Sequence, residues 1–171
     1  MRPVAVTVRP IVQADWERFK ALRLEMLADT PIAFLETLET ARARPDRHWR
    51  DAARGRSDGV RLVAETADGR WLGTMGGVLA GGSPTLVAVY VTPRARGRGR
   101  GVADALLDAI ETWAHRHGDT LRLEVHEDNV RARAFYESRG FVLTGRTIPY
   151  PLAPAALELE MVKALPPSAH R

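Results

Sequence analysis

Between Arg94 and Gly101 the chain reads Arg-Ala-Arg-Gly-Arg-Gly-Arg-Gly, four guanidinium groups spaced by small residues. Glycines permit positive φ and close backbone approach, and such turns present several amides at once, so the run suits a phosphate. These arginines account for the whole excess of 25 Lys and Arg over 21 Asp and Glu, a net charge of +4. Charge gathered in one short segment points to a local anionic ligand, whereas nucleic-acid binders more often spread it over a face. Further along, Glu124 and His126 lie two residues apart, and either side chain could accept a proton. The chain has no cysteine, which excludes disulfides, thiolate metal sites and a covalent acyl-cysteine intermediate.

Several elements must position these groups. Val4, Val6 and Val8 alternate as a first strand, and Gln13 to Ala28 carries its apolar residues at helical spacing. Thr30-Pro31 reads as a helix start with Thr30 as cap, and Pro45 opens a short helical piece through Trp49. Gly59 to Thr66 and Trp71 to Leu79 form a strand pair around Asp68-Gly69. After a turn at Gly81-Gly82-Ser83-Pro84, the apolar run Leu86 to Val91 reads as a buried strand. Asp104 to His117 is the clearest helix, with Leu106, Leu107, Ile110, Trp113 and Ala114 on one stripe and Gly118 as its stop. Leu121 to Val125 alternates as a strand, Val130 to Ser138 is helical, and strands follow at Phe141 to Ile148 and Leu157 to Val162. No repeat or linker interrupts this order, so residues 1–171 are expected to form a single mixed α/β domain.

The arginine-glycine run therefore joins a strand to a helix N-terminus, where the helix dipole adds to the turn amides. A Walker loop would need Gly-Lys followed by Ser or Thr, which is absent. A dinucleotide fingerprint would need an early βαβ unit, yet this run lies past mid-chain. Arg98-Gly99-Arg100-Gly101-Val102-Ala103 instead resembles the pyrophosphate loop of the GCN5-related N-acetyltransferases, Gln/Arg-x-x-Gly-x-Gly/Ala. The register starting at Arg96 also fits. The later one keeps the family's spacing to Leu106-Leu107 and makes the loop two residues longer than usual. Asn129-Val130-Arg131-Ala132-Arg133-Ala134-Phe135-Tyr136-Glu137-Ser138-Arg139-Gly140-Phe141 resembles the same family's second signature, Asn-x-x-Ala-x-x-Phe-Tyr-x-x-x-Gly-Phe. Both occur in the expected order, across roughly a third of the chain.

The resemblance implies a mixed, mostly antiparallel sheet flanked by helices, with one splayed parallel strand pair. It also implies acetyl-CoA as co-substrate, with no metal. Its pyrophosphate would meet Arg96, Arg98, Gly99, Arg100, Gly101, Val102 and Ala103. Its pantetheine arm would pair like an added strand with Val89, Tyr90 and Val91 and with the Asn129 side chain. Asn129 could equally be a plain helix cap. Tyr136 corresponds to the family's tyrosine beside the cofactor sulfur, which protonates the departing thiolate.

Acyl transfer to a primary amine needs a neutral nucleophile, and an amine of pKa about 10.4 is neutral at pH 7 only at a cost of about 4.6 kcal/mol. A positioned base offsets part of that. Glu124 is the first candidate, because Leu123-Glu124-Val125 before Asn129 resembles the bacterial ribosomal-protein N-terminal acetyltransferases at that point. His126, on the same side of the strand, is the reserve. Glu36 and Glu39 could hold a cationic acceptor. Without cysteine, direct attack in a ternary complex is expected. The acceptor is left open among a small amine, an antibiotic, a peptide N-terminus and a lysine side chain, as is a homodimer. A non-catalytic acyl-CoA sensor and a nucleic-acid module using the Arg/Gly loop are the alternatives, the latter opposed by balanced charge elsewhere and sparse aromatics. No signal peptide or membrane-length apolar run is read, so a cytoplasmic protein without a membrane partner is expected.

Overall fold

The computed structural model describes residues 2–167; Met1 and residues 168–171, which the expected domain includes, lie outside them. In chain order the strands are β1 (Thr7–Pro10), β2 (Gly59–Glu65), β3 (Trp71–Ala80), β4 (Ser83–Val91), β5 (Thr120–His126), β6 (Val142–Tyr150) and β7 (Ala153–Ala164). The helices are α1 (Trp16–Asp29), α2 (Leu38–Arg42), α3 (Asp46–Ala53), α4 (Val102–Ala114) and α5 (Val130–Ser138). Seven strands form one sheet in the order β1-β2-β3-β4-β5-β7-β6. Every pairing is antiparallel except β4 with β5. The expected fold class is therefore the observed one.

Strand alternation explains the layers. Leu121, Leu123 and Val125 of β5 share one face with Met161 of β7. They pack under α4 through Leu106, Leu107 and Ile110, all fully buried. The opposite face of the β2–β4 half is covered by α1 to α3, with Phe19, Met26, Leu27 and Trp49 buried against Val63 and Tyr90. Gly77 of β3 explains how closely α4 sits. A Cβ there would stand 2.5 Å from the Trp113 ring, so only glycine lets the indole lie on the sheet.

Local signals settle most boundaries, and the departures have physical reasons. The α2 cap is Thr37, whose hydroxyl accepts from the Thr40 amide at 3.1 Å; Thr30 instead donates to Asp29. Pro31 opens only a 3-10 turn, Pro31–Ala33. Gly81 and Gly82, both left-handed, make a two-residue hairpin, so β4 starts at Ser83 instead of Leu86. β1 begins at Thr7, because the Val4 amide donates 3.0 Å to the Arg100 carbonyl and ties the N-terminal segment to the arginine-glycine loop.

Candidate active site

The parallel pair is the structural origin of the site. β4 and β5 are in register only at Thr85 and Arg122, after which they separate. Between Val87 and Tyr90, β4 spends one residue more than β3 opposite it, and Ala88 takes a φ of 52°. A non-glycine residue in that region is strained, and such a bulge bends its strand and leaves backbone groups unpaired. A cleft of about 610 Å³ opens in the gap. Its walls are Leu86 to Val91 on one side, Leu123 to His126 on the other, α5 residues including Tyr136, and the loop from Arg96 into Asp104 at one end.

That loop is shaped by its glycines. Gly97, Gly99 and Gly101 have φ of 113°, 81° and 80°, values that side chains oppose. Gly101 is the N-cap of α4, and the first helical bond inside the turn runs from the Ala105 amide to its carbonyl at 2.9 Å. The amides of Val102, Ala103 and Asp104 thus precede any i−4 acceptor and stand at the positive end of the helix. A Cβ at Gly97 or Gly101 would meet nothing within 4 Å, so the space over the loop is open. The buried Nε of Arg100 has no hydrogen-bond partner. An open, amide-rich cradle with an orphaned guanidinium donor fits a pyrophosphate, so the residues present suit coenzyme A.

Arg96 is engaged elsewhere. Its Nε donates 2.8 Å to the Val91 carbonyl, and its guanidinium pairs with Asp29 while lying 5.4 Å over the Tyr90 ring. This pairing holds the Asp29 carboxyl below the usual range. Arg96 therefore fastens the loop to the end of α1. Tyr90 is buried, and its phenol donates 2.9 Å to Glu25; burial, then Glu25, pushes its pKa well up. For a ligand, Tyr90 has backbone rather than hydroxyl to offer. Arg94 and Arg98 are exposed.

Across the cleft, Asn129 caps α5, its Oδ1 accepting from the Ala132 amide at 3.3 Å, which leaves its side-chain NH₂ free to donate. Tyr136 is fully surrounded, packing edge-on against Phe141 at 5.7 Å. Burial alone raises its phenol pKa, so the hydroxyl stays protonated.

At the end of the cleft away from the arginine-glycine loop, β5 and β7 place four groups on one face. Their register sets Glu124 opposite Glu160 and His126 opposite Glu158. Glu124 is exposed; His126 is buried, 4.7 Å from the Tyr150 ring, and its Nδ1 accepts the Asp128 amide at 3.1 Å. That amide occupies Nδ1, leaving Nε2 as the ring nitrogen of His126 open to another partner. Glu36 is clamped by Arg44 at 2.5 Å and Arg23 at 3.4 Å, and neither it nor Glu39 lines the cleft. Glu158 does line it, and the sequence reading passed over it. The alternation Leu157-Glu158-Leu159-Glu160 was available as a signal, but its pairing with β5 was not.

The cleft thus combines a splayed parallel pair, an amide-rich loop at a helix start and a buried tyrosine. Residues 20–141 match the Acetyltransferase (GNAT) family, and the chain belongs to it. Mycothiol acetyltransferase of Beutenbergia cavernae is 32% identical over 132 residues, 75% of this chain; the chain spans 42% of that protein's length. A GCN5-related N-acetyltransferase from Kribbella flavida is 24% identical with a TM-score of 0.72, over 94% of this chain and 98% of that one. The yncA protein of Salmonella typhimurium, solved with its cofactor acetyl-CoA, is 18% identical with a TM-score of 0.75, over 98% of each chain. No helix among the described residues is long and apolar enough to cross a membrane.

Proposed function

We propose that this enzyme, acting as one domain, transfers the acetyl group of acetyl-CoA directly to a primary amine of a small molecule or peptide. The observation that carries this reading is the cleft itself. One end is the amide cradle of Gly99 to Ala103, the middle is flanked by β4 and β5 backbone, and the far end carries carboxylates. Acetyl-CoA supplies an electrophilic thioester and a thiolate leaving group; the protein supplies orientation and proton handling. Val89 and Val91 pair with the pantetheine arm along the parted edge of β4, helped by the Asn129 amide. A β4 amide near Val91 polarises the thioester carbonyl. Tyr136 donates to the departing sulfur. An ordinary phenol is a weaker acid than an ordinary thiol by about 1.5 units, but the same burial that raises Tyr136 also raises the thiol. Glu124, exposed at the cleft, meets the incoming ammonium and takes its proton.

A panel of amines, including polyamines, amino acids, aminoglycosides and peptide N-termini, incubated with acetyl-CoA and read by free-thiol release, tests the reading. At least one amine should accelerate thiol release in proportion to acetylated product. Binding of acetyl-CoA with no amine acetylated would make the protein a sensor; binding of short DNA in its place would make the loop a nucleic-acid site.

A further inference from the structure

Glu158 is the anomaly of the acceptor end. It is only 7% exposed, its Oε2 has no hydrogen-bond partner, and it borders both the main cleft and a small cavity shared with Glu124, Arg146, Ile148 and Glu160. An unpaired buried carboxylate costs several kcal/mol, so a fold retains one only against strong opposition. Its neighbours do not relieve it. From β5 it faces Glu124 and His126, from β6 Arg146 and Tyr150, and along β7 Glu160. Arg146, the cation of this group, lies 3.7 Å from Glu160, which Arg122 also holds at 2.6 Å. Among the described residues, neither Glu124 nor Glu158 has an ion-pair partner. Tyr150 turns its hydroxyl away, donating 2.7 Å to the Phe34 carbonyl.

We infer that Glu158 is a second catalytic carboxylate, which with Glu124 forms a coupled pair that binds the acceptor's ammonium and takes one proton from it. The inference rests on the proposed amine transfer and deepens it by dividing the base between two side chains. With the ammonium bound, both carboxylates are charged. An N–H bond of the ammonium breaks as an O–H bond forms at Glu124, which passes the proton to Glu158 Oε2, leaving one charge on the pair and a neutral amine. The amine then forms its C–N bond as the thioester C–S bond breaks, and the thiolate takes the Tyr136 proton. The nitrogen's remaining surplus proton restores Tyr136 through water, and the proton on Glu158 leaves to solvent past exposed Glu124. One proton is released overall. Burial first, and Glu124 second, raise the Glu158 pKa, as a base working near neutral pH requires.

The linkage sign is opposite to that of a salt-bridged carboxylate. A raised native pKa means that the folded state loses stability as pH climbs from the unfolded value through the native one. Glu158→Gln should therefore unfold at a higher temperature than wild type at neutral pH, with the gain vanishing in acid. Carboxyl-carbon NMR of glutamate-labelled protein, without any acceptor, should show Glu158 titrating above the ordinary glutamate value of about 4.3 and moving down in Glu124→Gln. On an acceptor confirmed by thiol release, Glu158→Gln should lower kcat by about 10²- to 10⁴-fold near neutral pH, recovering in alkali. Because the two act as a unit, the double variant Glu124→Gln with Glu158→Gln should lose little more than the worse single one. An ordinary titration of Glu158, wild-type turnover in Glu158→Gln, or fully additive losses would overturn the inference. If no amine is acetylated, the NMR titration and the melting shift still judge the pair, while the transfer reading alone fails.

Discussion

Tyr136 is the residue on which the transfer chemistry can be tested most simply. Its ring is packed by Phe141 and its hydroxyl needs no partner to fix its place, so Tyr136→Phe removes the donor and little else. Turnover on a confirmed amine should fall, by up to the 10²- to 10⁴-fold range of a general acid, while acetyl-CoA affinity stays within a few-fold. Turnover at the wild-type level would reduce Tyr136 to a packing residue. The tyrosine was visible in the sequence because its motif is local: Asn129 to Phe141 lies on one helix and its flanks. Glu158 was not. Its significance arises only when β7 is laid antiparallel against β5 with Glu158 opposite His126, and that register is set by contacts more than thirty positions away in the chain.

At the scale of elements, the arginine-glycine loop divides its labour between backbone and side chains. Gly101→Val should weaken acetyl-CoA binding far more than Arg94→Ala, since the first forces a left-handed φ of 80° on a branched residue and fills the space over the α4 amides. Equal losses in a binding titration would mean that charge rather than shape holds the pyrophosphate. Asp29→Asn probes the other half of the loop. Without its carboxylate partner Arg96 loses its tie to α1, so acetyl-CoA affinity and proteolytic resistance of the loop should both drop, whereas an unchanged affinity would confine the pair to surface stability. The strand-loop-helix order and the bounds of α5 were legible from periodicity and caps. The engagement of Arg96 was not, because it joins residues 67 positions apart. Thr30 misled for a related reason: a threonine before proline is a helix-start signal, yet the chain makes a single 3-10 turn there and caps α2 at Thr37.

Across the whole molecule, one break in the sheet creates the cleft. The bulge at Ala88 and the single register point between β4 and β5 open the cleft, α4 and its loop close one end, and β5 with β7 furnish the other with carboxylates. The proposed transfer is direct: a chain without cysteine lacks the thiol that would most readily hold the acetyl group itself. A quenched single-turnover experiment measures this: enzyme is mixed with acetyl-CoA, an active amine is added, and the intact protein mass is followed together with acetylated amine and free thiol. The account predicts an unmodified protein throughout and acetylated amine appearing in step with free thiol. An acetylated protein that forms before the amine is added and then discharges to it, or thiol released without acetylated amine, would contradict it.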